Sequence, residues 1–315
     1  MKRFKNILLH TDGQAGSRFA LRRAVDLAQR NQGRLTVVSV LEDLPRELLR
    51  LAAAVPSDNL QSMALQAARE RLEQFVAPFQ AEGATIELEV LGGKPFIKII
   101  RAVLRRQHDL VMTKAEGRSG LRERLFGSTS LHLMRKYPCP VWVLKPSRSQ
   151  RFARILAAVD PDPLDVVRDG VNTKIMELAT SLAALEDAVL HVVHAWQVGD
   201  PSAWRNWQER VSKAQADDWM KQTRAAHRRR LAELLGKFSH AESKPQLHLV
   251  QGEAGTMIPH LAVKERIDLI VMGTLARAGL EGFFIGNTAE TVLQCVSCSV
   301  LTVKPDGFVS PVILD

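Results

Sequence analysis

The chain has 315 residues, 46% of them apolar and 24% charged, which is about two ordinary globular domains. That composition excludes a collagen rod, a coiled coil and a disordered tail, and no apolar run approaches the ~18 residues of a membrane span. The balance of 43 basic and 34 acidic residues leaves a net charge of +9. It fits either an attraction for nucleotides and nucleic acid or charges spread over helix faces.

In chain order, Ile7–Thr11 reads as a buried strand, and the apolar stretch of the start is too short for the core of a secretory signal. Ala20, Leu21, Ala24, Val25, Leu27 and Ala28 mark a helix face, followed by a strand at Leu35–Leu41. A long helix is expected over 58–82, a strand at Ile86–Leu91, and a helix lined by Ile97, Ile100, Val103 and Leu104. A fourth strand at Leu110–Thr113, a helix at 128–136 and a fifth strand at Val141–Leu144 complete the series. The order then repeats, with strands at 155–159, 188–195, 246–250, 268–272 and 299–303. Helices are expected between them at 172–185, 203–236, 255–265 and 287–295.

The repeat is also written in identities. Residues 109–146 match 268–305 without a gap at eleven of 38 positions, where composition alone gives roughly two or three. Asp109-Leu110 pairs with Asp268-Leu269, Gly127 with Gly286, Thr129 with Thr288 and Cys139 with Cys298. The run ending in Asp12 likewise resembles the run ending in Asp160. The expected plan is one domain over 1–147, a second over 151–306 and an apolar tail at 307–315 that is bound to the protein. Five apolar strands alternating with helices imply an α/β fold with two tandem, doubly wound, five-stranded parallel sheets. The fifth strands, 141–144 and 299–303, are short and apolar and are expected to meet as the interface of an internal pseudo-dimer. Ligands of such sheets sit beyond the strand C-termini where the strand order reverses.

The loops after the fourth strands carry Lys114, Gly117 and Gly127-Ser128-Thr129 in copy one. Copy two has Gly273, Ala276 and Gly286-Asn287-Thr288. With the strand-one aspartates and the Pro138–Val141 run, this pattern resembles the universal stress protein family. The Gly286–Glu290 run looks most like its tandem, E-type members. The resemblance implies an adenine nucleotide alpha hydrolase-like fold and a role in stress resistance by ligand sensing or protein binding. In nucleotide-binding members the loop reads Gly, two residues, Gly, nine residues, then Gly-Ser or Gly-Thr. The strand-one Asp contacts adenine, and a residue near the end of strand two (Val40 or Ala195 here) lines the base pocket. Glycine amides and a helix N-terminus suit phosphates, and Ser128, Thr129, Asn287 or Thr288 can cap or donate there.

Both copies depart from that pattern. Lys114 replaces the first Gly of copy one and either plugs the pocket or pairs with an anion. Copy two has Ala276 and Asn287 in place of Gly and Ser, and Asp162 and Asp165 beside Asp160 either hold magnesium with a nucleotide or are loop carboxylates. Copy two, with Asp160, Ala195, Met272 and Gly273, is the better candidate for ATP or another adenine nucleotide. Copy one offers Asp12, Val40, Gly117 and Gly127. Partners considered are a nucleotide or an apolar small molecule, a second protein surface, and RNA or DNA on the Arg224–Arg230 stretch. An ATP-binding, slowly hydrolysing switch is the alternative, but neither cleft offers an identifiable catalytic set.

His191 and His194, three apart on a strand, point to opposite faces and read as core or cleft-edge histidines. Cys295 and Cys298 lie at a helix end, where a redox motif would sit at a helix start. Three cysteines point to a reducing cytoplasm. Trp204, Trp207 and Trp219 on one helix read as packing or as an aromatic binding face.

Overall fold

The computed structural model describes residues 4–42, 57–115, 127–146, 151–162, 164–198, 211–238, 244–274 and 286–314. The chain divides into two compact units, one centred on Met1–Gln150 and the other on Arg151–Gly279.

Unit one contains β1 (Asn6–His10), α1 (Arg18–Asn31), β2 (Arg34–Leu41), α2 (Ser57–Ala81) and β3 (Ile86–Gly92). It continues with α3 (Pro95–Arg106), β4 (Leu110–Lys114), α4 (Ser128–Lys136) and β5 (Val141–Leu144). All its strand pairs are parallel, in the order β3-β2-β1-β4-β5. Ile7, Leu8 and Leu9 are fully buried, as a strand covered by helices on both faces requires.

Unit two repeats the plan with β6 (Arg154–Ala158), α5 (Val166–Glu186), β7 (Val189–Trp196), α6 (Lys213–Gly236) and β8 (Gln246–Gln251). It ends with α7 (Ala254–Lys264), β9 (Leu269–Gly273), α8 (Asn287–Cys295) and β10 (Ser299–Val303). The parallel order is β8-β7-β6-β9-β10, the same topology. Helix α5 starts six residues before the expected 172 because Asp165 caps it, accepting from the Arg168 amide. The exposed Val166 and Val167 of its first turn hide the apolar period. Helix α6 is described from Lys213, where Ser212 and Gln215 form a capping box; the expected stretch from 203 lies outside the described residues.

The repeated Asp-Leu pair has a structural job. Asp109 accepts from the amides of Lys5 and Asn6, and Asp268 from those of Ala153 and Arg154 at 2.8 and 2.9 Å. The backbone returns the bond, Asp109 N–H to the Asn6 carbonyl and Asp268 N–H to that of Arg154. Each carboxylate thus locks the start of a unit's first strand to the start of its fourth.

The tail groups with unit one, where Arg101 Nε donates to the Ile313 carbonyl. Val309 and Ile313 are exposed, while Phe308, Pro311 and Val312 are half-buried.

Two predictions follow from these contacts. Asp268→Ala leaves two amides without their acceptor and should cost about 1–2 kcal/mol in denaturant unfolding. His108 is buried with Nε2 3.3 Å from Thr36 Oγ1, and burial, aided by Arg106, pushes its pKa down to about 4. The folded state therefore prefers the neutral ring. Its contribution is complete above pH 6.5 and falls by about 1.4 kcal/mol per pH unit as the pH drops towards 4. His108→Gln should flatten that acid limb in unfolding curves recorded between about pH 7 and pH 4.

Candidate functional site

In unit two the site is built at the reversal point between β6 and β9. Beyond β6 the backbone runs on through Val159, whose N–H donates to the Val193 carbonyl, to Asp160. Asn172, buried on α5, holds Asp160 by its backbone: its Oδ1 accepts from the Asp160 amide and its Nδ2 donates to the Asp160 carbonyl, both at 2.9 Å. On the neighbouring strand, β9 ends at Gly273, where a Cβ would lie 2.8 Å from Val171 Cγ1. Gly273 and Val171 both line a cavity of about 360 Å³.

Asp160, Ala195, Met272, Gly273 and Thr288 all line that cavity. Gly286 and Asn287 stand beside it. Gly286 is the buried cap residue of α8, its N–H donating to the Thr274 carbonyl, and Asn287 is the exposed first residue of the helix. Asn287 is therefore not the side-chain cap that its amide suggested, because the glycine before it takes that position. Ala276 and Gly117 lie outside the described residues. Sequence reasoning passed over Arg168, Val171 and Asn172, which also line the cavity. The available signal was an Asn inside the apolar face of Val171, Ile175 and Met176.

Arg168 gathers the acidic groups of the mouth. Its guanidinium lies 3.4 Å from Asp160, 3.5 Å from Asp162 and 3.3 Å from Asp165. Asp160, Asp162 and Asp165 thus share one arginine. Among the described residues no group of three or more His, Cys, Asp or Glu side chains is arranged to hold a metal ion.

The two histidines of β7 face opposite ways, each meeting a second histidine. His191 Nδ1 is 3.0 Å from His248 Nε2 on β8, and His194 Nε2 is 2.9 Å from His227 Nδ1 on α6. His194 Nδ1 lies 3.2 Å from the Val159 carbonyl and 3.8 Å from Asp160 Oδ1. Burial pushes the His194 pKa below the usual value, against the pull of Asp160 and with the help of His227. His227 is also shifted down, by burial and then by Arg230, against Asp160 and Asp162.

Unit one presents the same backbone and a different site. Asp12 accepts from Ser17 Oγ, from the Gln14 amide and from Lys114 Nζ at 3.1 Å. Burial raises the Asp12 carboxyl, but those donors outweigh it and hold the pKa below the usual value. Lys114, at the end of β4, thus closes onto the strand-one aspartate. Val40 is half-buried on β2. Gly127 caps α4, Ser128 is its exposed first residue and Thr129 is buried. As in unit two, the glycine and not the hydroxyl residue occupies the cap.

The remaining candidates separate. Cys139, Cys295 and Cys298 form no disulfide, and burial holds the Cys139 thiol protonated. Trp219 is largely exposed on α6, and Trp204 and Trp207 lie outside the described residues. Arg224, Arg228 and Arg229 are exposed, while Arg230 is half-buried near His227. No helix among the described residues is long and apolar enough to cross a membrane.

Two doubly wound units of one topology, each with a strand-one aspartate at its reversal point, define a tandem α/β protein of the adenine nucleotide alpha hydrolase-like class. The family model described as "Universal stress protein family" matches residues 3–145 and again 151–304. The chain belongs to the universal stress protein family, with two copies of its domain in tandem. It is 28% identical to universal stress protein E of Photorhabdus laumondii, covering 99% of this chain and 98% of that one. It is equally 28% identical to universal stress protein E of Escherichia coli K12, covering 100% and 98%. Among solved structures, a putative universal stress protein from Pseudomonas aeruginosa superposes with a TM-score of 0.73 at 25% identity, over 98% of this chain and 95% of that one.

Asn172→Ala removes both bonds that hold the Asp160 backbone. It should lower stability by about 1–3 kcal/mol in denaturant unfolding, because a buried donor and acceptor lose their partner.

Proposed function

We infer from membership in the family that this is a stress-response protein. We propose that unit two is its ligand-sensing half, acting in the cytoplasm, and that it receives an adenine nucleoside or nucleotide while unit one is closed. The observation that carries this reading is the residue ending the fourth strand. Gly273 leaves a cavity beside Asp160, whereas Lys114 of unit one is bonded to Asp12. Apolar walls from Ala195, Ile258 and Met272 suit a flat base. The Asp160 carboxylate suits a donor on the base or the ribose, and Thr288 with the first amides of α8 suits a phosphate.

Charge tunes the preference. Asp160, Asp162 and Asp165 outnumber the one Arg168 among them, so a free triphosphate meets net repulsion at the mouth. Adenosine and AMP are favoured over ATP, and magnesium enters only with a nucleotide. Binding rather than turnover is the expected activity, since among the described residues no acid, base and nucleophile are disposed around the cavity as a catalytic set. Any ATP hydrolysis should run well below about 10 per second.

Titration calorimetry at about pH 8 tests the asymmetry with adenosine, AMP and ATP. Asp160→Ala and Gly273→Lys should each weaken binding about tenfold or more, and Asp12→Ala should leave it intact. Equal losses from Asp12→Ala and Asp160→Ala would refute it.

A further inference from the structure

His194 is almost wholly buried, and both of its ring nitrogens are engaged. The Val159 carbonyl only accepts, so His194 Nδ1 carries a hydrogen in every protonation state. In the neutral pair, Nε2 of His194 must then accept from His227 Nδ1–H. One added proton fits this geometry: it enters at His227 Nε2, and the bridging hydrogen then sits on His227 Nδ1 or on His194 Nε2, so the two rings share one positive charge. A second added proton would set two N–H groups against each other across 2.9 Å. The pair therefore holds no extra proton or one. That single charge arises beside the cavity, because Asp160 Oδ1 lies 3.8 Å from His194 Nδ1.

We propose that the His194–His227 pair is a proton-operated control on the ligand cavity of unit two. With the pair neutral, Asp160 is left to a ligand donor; with the pair charged, the carboxylate is drawn to the imidazolium and ligand binding weakens. The inference rests on the reading of Asp160 as the ligand's acceptor. Unit one lacks the histidine at this position: the parallel registers put Ser39 of β2 where β7 has His194, each one residue beyond the position paired with the end of the first strand.

The charges around the pair come from every side of it. Asp160 and Asp162 on the loop after β6 favour the charged state, and Arg230 on α6 opposes it. Arg168 on α5 competes for Asp160 and Asp162 and also contacts Asp165. Trp196 of β7 stacks on His227 at 5.4 Å between ring centres and keeps that ring in place. Burial is the largest influence on both rings and puts the switch on the acid side of neutrality.

The test is calorimetry of the full chain with adenosine at about pH 8 and about pH 5.5. Wild-type affinity should fall by roughly twofold or more at the lower pH, and His194→Gln should give the same affinity at both. Equal wild-type affinities overturn the proposal, as does an undiminished acid loss in His194→Gln, which assigns the effect to a group other than His194. No adenosine binding at pH 8 removes the underlying reading of the site and the proposal with it. An NMR titration of the two rings needs no variant. By reciprocity, saturating adenosine must lower their midpoint, and an unmoved midpoint overturns the control even where adenosine binds.

Discussion

The parallel pairing of the first strand with the fourth, β1 with β4 and β6 with β9, is the constraint on which each unit depends. It is the point where strand order turns back, so the connections on its two sides leave in opposite directions and open a crevice. Asp109 and Asp268 secure that pairing from the strand starts, each accepting from two successive amides. Everything chemical lies at the other end of the same strands: Asp12 and Lys114 in one unit, Asp160 and Gly273 in the other. A one-residue slip there would move every one of these side chains to the opposite face of the sheet.

On this common frame a single position separates the two halves. A lysine at the end of the fourth strand reaches the aspartate of the first and forms an internal ion pair with it. A glycine there makes no such claim, and Val171 of α5 comes so close that even a methyl group would force it to move. The difference extends to the helix behind the aspartate. Counted from the caps Ser17 and Asp165, unit two has Asn172 where unit one has Ala24, so only unit two ties the aspartate backbone to its helix.

The polar groups of unit two are costly to bury, and their arrangement answers that cost. Arg168 is spread over three carboxylates instead of being matched to one. His194 has the Val159 carbonyl on one nitrogen and His227 on the other. Such groups contribute little net stability when satisfied but cost much when a partner is lost. The same low-dielectric surroundings make a proton on the pair felt at Asp160, so one set of contacts bears on stability and on the cavity together.

Much of this was legible in the sequence because it is periodic or repeated. Continuous apolar runs such as Ile7–Leu9 specify covered parallel strands, and the Asp-Leu repeat at 109 and 268 marks duplication. The strand-end aspartates and the lysine-for-glycine exchange also stand in the open, since strand ends are set by local pattern. What the sequence left open was which partners those residues choose. Lys114 read equally as a plug or as an anion site until the fold brought it within 3.1 Å of Asp12, 102 residues away. Arg168 stands three residues from Asp165, yet that spacing does not reveal that Asp160 and Asp162 curl back onto the same guanidinium. His194 and His227 belong to different elements and meet only because α6 packs beside β7. Local periodicity determines the elements and the ends of strands, because backbone sterics and side-chain alternation act over a few residues. The ion pairs and proton partners depend on distances of a few ångströms between remote segments, and only packing sets those.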